Sequence, residues 1–308
     1  MPSLDLPPSR WRDAIRRIED LGFSTVSVSE HVTHGWAMDA LAAMLAAADA
    51  TERLRVLSLV LLNDLRHPAV LHRSAATIDR LSGGRLELGI GAGWLVDDYE
   101  ALGVKFDPPA VRIDRLAESL QIIDSLFLRD EVTFIGRYYQ VRGLQGLPKA
   151  TQRPRPPFLV GGGGRRILQL AARVADIVSV HAALPGGTLA TDAVAEFTAE
   201  RMATKVAWIR EELARTGRPA EAVELQFSVY LCRIDDGRRA HQRVVSTFAH
   251  QLASDPDMLA DSPSVLVGSV DRCAELLEER RARYGFSYLR LSDDIDAVAP
   301  IVYRLAGR

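Results

Sequence analysis

The constraint that most limits how this chain can fold is a regular alternation of short apolar runs with segments of helical periodicity. Trp11, Ala14, Ile15, Ile18 and Leu21 recur at helical spacing, and Gly22 follows as a stop signal. Residues 25–29 are short and rich in β-branched side chains, and residues 40–50 return to helix-forming composition. The order repeats with apolar runs at 54–62 and 86–90 and helical segments at 70–81 and 116–126. Runs this uniformly apolar are buried on both faces, which implies parallel strands covered by helices. Strands at 158–160, 177–180, 225–232 and 287–291 continue the pattern, with helices at 167–174, 203–215, 239–252, 272–284 and 295–305. Seven strands are clear, and residues 3–6 are the candidate for a short eighth. Residues 132–141 alternate around Gly136 as a small hairpin, and the proline-rich stretch 148–157 reads as a surface connection, so the pair is an insertion. The expected architecture is α/β: a (β/α)8 TIM barrel with a small insertion, its first strand short or missing, in one domain over residues 1–308. An open doubly wound sheet is the alternative.

Charge and cysteine usage narrow the functional classes. Lys and Arg number 38 against 40 Asp and Glu, with no basic run suited to a phosphate backbone, so nucleic acid is not an expected partner. Cys232 and Cys273 lie far apart in sequence without His or Cys at ligand spacing, which points to neither zinc nor a disulfide framework and fits a reducing cytoplasm. No apolar run reaches the roughly 18 residues needed to span a bilayer, and residues 1–10 lack a signal-peptide core. A small-molecule substrate is the expected partner, and a homodimer is the candidate assembly. No G-x-S-x-G elbow, H-E-x-x-H pair or carboxylate cluster at metal spacing occurs, which removes the usual support for hydrolase and metalloenzyme readings.

In a barrel of this class the loops after the strands build the site. Gly161, Gly162, Gly163 and Gly164 lie between a strand and a helix, where bare backbone N–H groups and the helix dipole favour a phosphate, with Arg165 and Arg166 adding charge. A flexible surface loop is the alternative. The run Gly89-Ile90-Gly91-Ala92-Gly93-Trp94 lacks dinucleotide-binding spacing; it would serve either close backbone packing or the approach of a planar ring, with Trp94 as a wall. Glu30 and His31 follow the second strand, near His34 and Trp36, and an imidazole there suits proton exchange during hydride transfer, unless it is a structural hydrogen-bonded histidine. His181 occupies the same kind of position after residues 177–180. His67, at a helix start, reads as structural, and His72, inside a helix, as packing or surface.

These residues also carry a resemblance. The pattern W-x7-E-x-L-G-F over 11–23, S-E-H over 29–31, R-H-P over 66–68, A-A-T-I-D-R-L-S-G-G-R-L-E-L-G-I-G-A-G-W over 75–94 and R-P-R-P-P-F-L-V-G-G-G-G over 153–164 together resemble the luciferase-like flavin and deazaflavin oxidoreductases, in particular the branch using coenzyme F-420. The resemblance implies a (β/α)8 barrel with the ring of F-420 or of FMN at the strand ends and its phosphate at residues 161–164. It implies a carboxylate–histidine pair at Glu30-His31, with the histidine acting near the reactive ring. It further implies a non-prolyl cis peptide near Leu59-Val60 behind the ring, with Ala92 and Gly93 beside it and Trp36, Trp94 and His181 toward substrate. Three departures stand out: the shortened start, Glu30 where Asp is commoner, and Trp94 where sugar-phosphate dehydrogenases of the family carry an acidic residue. The leading expectation is an F-420-dependent hydride-transfer oxidoreductase acting on an alkene, imine or alcohol. An FMN-dependent monooxygenase and a non-catalytic flavin-binding barrel are the alternatives. Residues 182–191 and 254–264 are the candidate variable walls of the pocket.

Overall fold

The computed structural model describes residues 1–184, 191–237, 239–251 and 255–307. The Cα trace groups into two compact units. The first holds Met1–Glu19 and Ser24–Gly161; the second holds Asp20–Phe23, Gly162–Leu184 and the described residues from 191 onward. Residues 185–190 and Ser254, within the candidate wall loops, and Leu252, within the expected helix 239–252, fall outside the described residues.

The first unit opens with α1 (Pro8–Asp20), whose buried Trp11, Ile15 and Ile18 form one helical stripe. It continues through β1 (Thr25–Val28), α2 (Ala40–Ala50), β2 (Arg55–Ser58), β3 (Leu61–Leu62), α3 (Pro68–Leu81), β4 (Leu86–Gly91), α4 (Val96–Leu102), α5 (Pro109–Leu128), β5 (Glu131–Ile135), β6 (Gln140–Gln145) and β7 (Phe158–Gly162), whose last residue crosses the unit boundary. β1 pairs with β2, β2 and β3 with β4, and β4 with β7, all parallel. Every residue of β4 is buried, as its unbroken apolar pattern predicts. β5 and β6 form the expected antiparallel hairpin, whose Val132 and Val141 pack with Ile122 and Leu126 of α5. His72 of α3 is packing: its ring meets the Phe127 ring edge-on at 4.5 Å.

The second unit runs through α6 (Arg165–Val174), β8 (Ile177–Val180), α7 (Ala199–Thr216), β9 (Glu224–Ser228), β10 (Leu231–Ile234), α8 (Ala240–Gln251), α9 (Pro256–Ala260), β11 (Val265–Gly268), α10 (Val270–Tyr284), β12 (Phe286–Arg290) and α11 (Ile295–Leu305). β8 pairs with β9 and β9 with β12, again parallel. The strand–helix succession is that of the (β/α)8 class with a hairpin insertion. Among the described residues no helix is long and apolar enough to cross a membrane.

Three departures from the sequence reading have local causes. Residues 3–6 form a turn, not a strand: Ser3 Oγ accepts the Asp5 N–H at 3.1 Å, and Leu4 and Leu6 are exposed. The apolar run 225–232 is two strands, because Val229 N–H donates to Arg290 O whereas Tyr230 and Leu231 N–H donate to Ser264 O. β11, missed in the sequence because four residues leave little periodicity to read, is the partner that draws β10 away.

The run 54–62 is likewise interrupted. The partner offset between this segment and β4 is 30 at Val56↔Leu86 and 29 at Leu61↔Ile90, so one extra residue is accommodated between β2 and β3. The non-prolyl Leu59–Val60 peptide within this break is cis, at the position the resemblance indicated. Here the Ser58 side chain replaces a ladder bond: Ser58 Oγ–H donates to Gly89 O and Gly89 N–H donates to Ser58 Oγ, each at 2.9 Å. Because Ser58 is fully buried, Ser58→Ala should leave the Gly89 amide and carbonyl without water or partner and cost about 1–3 kcal/mol. Chemical-denaturation midpoints should show that loss, while Ser3→Ala leaves the midpoint unchanged; equal midpoints for the two variants would refute the bridging role.

Candidate active site

In the first unit the backbone leaves β1 through Ser29, whose hydroxyl donates to Leu59 O at 2.8 Å, and then presents Glu30 and His31. Glu30 is buried and fully engaged: it accepts the Leu62 N–H at 2.8 Å and both terminal nitrogens of Arg66, at 2.5 and 2.8 Å. This fork holds the end of β1 against β3 and the turn into α3. Burial alone would lower the pKa of the Arg66 guanidinium, but the hydrogen bond and charge of Glu30 outweigh it and raise it.

The carboxylate at His31 is therefore Asp98, in the first turn of α4, not the expected Glu30. His31 Nδ1 lies 2.6 Å from Asp98 Oδ2. Oδ1 of Asp98 accepts the N–H groups of Val32 and Thr33, each at 3.1 Å, and the Thr33 hydroxyl at 2.7 Å. Burial pushes the Asp98 pKa up, yet the hydrogen bonds from Thr33, His31 and Val32 prevail and hold it below the ordinary carboxylate value. His34 and Asp97 add an exposed pair beside it at 2.6 Å. The Trp36 ring lies 5.1 Å from the His31 ring, tilted, and the Trp94 ring 5.7 Å away, edge-on. Three residues singled out from the sequence, His31, Trp36 and Trp94, thus form one group. The side chain of His31 is 15% exposed, and its Nε2 has no hydrogen-bond partner among the described residues.

The glycines of β4 face the chain itself. A Cβ on Gly89 would stand 1.8 Å from Ser58 O, and one on Gly91 would stand 2.7 Å from Val60 Cγ2. Gly93 has φ +78°, and its Cβ would meet Tyr99 Oη at 2.2 Å. Tyr99 Oη also lies 3.3 Å from Ala92 O and 3.1 Å from Asp64 Oδ2, and Asp64 is paired with Arg115 at 2.6 Å. Close packing therefore accounts for the glycine spacing, while half-buried Leu59, Val60 and Ala92 border it.

In the second unit, Gly162 leaves room for Ile167, whose Cγ2 a Cβ would approach to 2.3 Å, and Gly163 leaves room for the Ala182 backbone at 2.2 Å. Only Gly164 of these three faces open space; it is the N-cap of α6, without a side-chain cap. The N–H groups of Arg165, Arg166 and Ile167 open this helix. His181 N–H donates to Gly162 O at 2.9 Å. Its Nε2 is 2.6 Å from Ser179 Oγ and its Nδ1 2.9 Å from the Tyr230 hydroxyl. Because the Ser179 hydroxyl donates to Gln226 Oε1, it accepts from Nε2–H, so Nδ1 accepts from Tyr230. Burial, with Lys205 and Arg290, holds the His181 pKa well below the ordinary imidazole value. Fully buried Lys205 donates to His181 O at 2.7 Å and pairs with Glu196 at 2.8 Å, which fixes this segment.

Asp98 and Tyr230 were not singled out from the sequence. Acidic residues at the start of α4 are a visible signal, but nothing local identifies a partner 67 positions earlier. A cavity of ≈ 720 Å³ in the second unit, bordered by Asp235, Arg239, His241, Arg272, Arg280 and Tyr284, is lined by Ala260, Asp261 and Pro263 of the candidate wall 254–264 but by none of the expected catalytic, cofactor-binding or substrate-binding residues.

The family model for the luciferase-like monooxygenases matches residues 2–287. An F-420-dependent glucose-6-phosphate dehydrogenase of Amycolatopsis mediterranei is 33% identical over 168 residues, covering 52% of this chain and 49% of the relative. An FMNH2-dependent dimethylsulfone monooxygenase of Pseudomonas putida is 31% identical over 127 residues, covering 41% and 35%. This chain thus spans about half the length of such curated relatives, or less. The structure of a coenzyme F-420-dependent tetrahydromethanopterin reductase from Methanopyrus kandleri superposes with a TM-score of 0.75 at 18% identity, covering 97% of this chain and 94% of that one, and shares the fold.

Gly163→Ala should force the 182–183 backbone to move and cost about 1–3 kcal/mol, whereas Gly164→Ala should change stability by less than about 0.5 kcal/mol. Denaturation midpoints measured side by side test this, and a neutral Gly163→Ala would refute the close approach.

Proposed function

This chain belongs to the luciferase-like monooxygenase family, and on that premise we propose that it is an oxidoreductase that moves a hydride between a deazaflavin of the coenzyme F-420 type and a small organic substrate. The observation that carries the reading is His31: one ring nitrogen is held by Asp98, the other has no hydrogen-bond partner among the described residues, and two indoles flank the ring. An imidazole fixed at one nitrogen and free at the other can take or give the proton that accompanies hydride movement. The deazaflavin, when bound, supplies the carbon that accepts or donates the hydride.

In the first unit, Trp36 and Trp94 would orient a planar ring or substrate by aromatic contact and keep water from His31. Half-buried Leu59 and Val60, with Ala92 and Gly93, would offer apolar and backbone surface to the ring. Glu30 keeps the frame of this group in place through Arg66 and Leu62. Considered by itself, the second unit offers the uncapped start of α6 at Gly164 as the anchor for a phosphate. His181 and Tyr230 would present a neutral hydrogen-bonding pair to substrate. Trp94 places an indole where a sugar phosphate would want polar partners, so the substrate class proposed is an alkene, imine or alcohol.

The similarity to the FMNH2-dependent monooxygenase keeps flavin mononucleotide as the second cofactor reading. Fluorescence titration of the protein with each compound decides between them. Coenzyme F-420 should bind at micromolar Kd or tighter and FMN more weakly; the reverse order would overturn the proposal in favour of a monooxygenase.

His31→Ala should lower single-turnover hydride transfer about 10²–10⁴-fold with cofactor affinity nearly unchanged. A histidine with a purely structural role would instead lower the melting temperature and leave the rate per folded molecule at the wild-type level.

A further inference from the structure

We propose that Asp98 is the positioning residue that fixes His31 as its Nδ1–H tautomer, so that Nε2 is the proton-accepting atom of the site. The proposal rests on reading His31 as the proton-transfer group and adds which atom of it acts and what selects that atom. Asp98 is 2% exposed and receives hydrogen bonds from Val32 N–H, Thr33 N–H and Thr33 Oγ1–H on one oxygen. A carboxylate with three donors on Oδ1 is an acceptor throughout, so the atom 2.6 Å from Oδ2, His31 Nδ1, must carry a hydrogen. A neutral imidazole has one N–H, and with Nδ1 protonated its lone pair lies on Nε2. That atom has no hydrogen-bond partner among the described residues, on a ring flanked by Trp36 and Trp94.

The contrast with His181 shows that the partner selects the state. There Ser179 passes its hydrogen to Gln226 and so takes one from Nε2, leaving Nδ1 to accept from Tyr230. Two histidines at the ends of parallel strands thus hold opposite tautomers, each dictated by its neighbour's hydrogen. Glu30 does not select the tautomer of His31: its oxygens accept from Arg66 and Leu62, and among the described residues it makes no hydrogen bond to the imidazole.

Asp98→Asn is the discriminating variant. Its Oδ1 can keep the three donors from Val32 and Thr33, which places the amide NH2 against His31 Nδ1; the flipped amide would set NH2 against all three donors. The imidazole must then present a lone pair at Nδ1 and carry its hydrogen at Nε2, the inverse of wild type. Long-range ¹H–¹⁵N correlation spectra of the full-length protein without cofactor, at a pH where His31 is neutral, read this directly. Wild type should show a protonated Nδ1 and a bare Nε2, Asp98→Asn the reverse, and Thr33→Val, which removes a donor from Asp98 without touching His31, the wild-type pattern. Single-turnover rates should fall about 10²–10⁴-fold in Asp98→Asn, with Asp98→Glu recovering part of the loss. A bare Nδ1 in wild type overturns the proposal outright, even if Asp98→Asn cannot be folded. A variant that keeps Nδ1–H removes the positioning role of Asp98, whereas an inverted tautomer with an unchanged rate leaves the tautomer assignment standing and overturns the proton-transfer reading of His31.

Discussion

A carboxylate buried to 2% exposure persists only if donors replace its lost water, and the way Asp98 meets that requirement shapes the whole segment after β1. Its four donors all come from residues 31–33, so the ionised group folds that stretch around itself. The ring of His31 is held by its Nδ1, and Trp36, its amide bonded back to Thr33 O at 3.2 Å, is carried into place against it. Removing any single donor would weaken this arrangement; removing the carboxylate would remove its centre.

Glu30 solves the same problem differently and so acquires a different role. Its two oxygens accept from the planar fork of Arg66 and the Leu62 amide, and among the described residues no hydrogen bond joins it to the neighbouring imidazole. Two carboxylates therefore divide the work: one joins strand ends into a rigid frame, the other sets the state of the histidine that the frame presents. The residue next to His31 in sequence is not its chemical partner.

Backbone proximity is the second organising constraint. At Gly89 a side chain would collide with Ser58 O, and at Gly163 with the Ala182 backbone. These contacts bring main chain against main chain where a strand breaks or a loop returns, as hydrogen bonds such as those between Ser58 and Gly89 require. Of residues 162–164, only Gly164 is open, so the capacity of this run to hold an anion reduces to the uncapped helix start that it precedes.

Much of the architecture was legible in the sequence because it is written in local periodicity: the buried strand β4, the hairpin β5–β6 and the stripe of α1 follow from which side chains are apolar and at what spacing. The candidates His31, Trp36 and Trp94 were legible too, because residue chemistry and place after a strand are sequence properties. What periodicity could not supply was pairing. Whether 225–232 is one strand or two depends on Arg290 and Ser264 competing for its amides, and β11 is too short to announce itself. Local chemistry and spacing sufficed for the alternation of elements, the burial of the strands and the choice of candidate side chains; that Asp98 and not Glu30 meets His31 is a property of the folded chain, because a hydrogen bond between residues 67 positions apart is set by where the chain returns in space and not by anything near either residue.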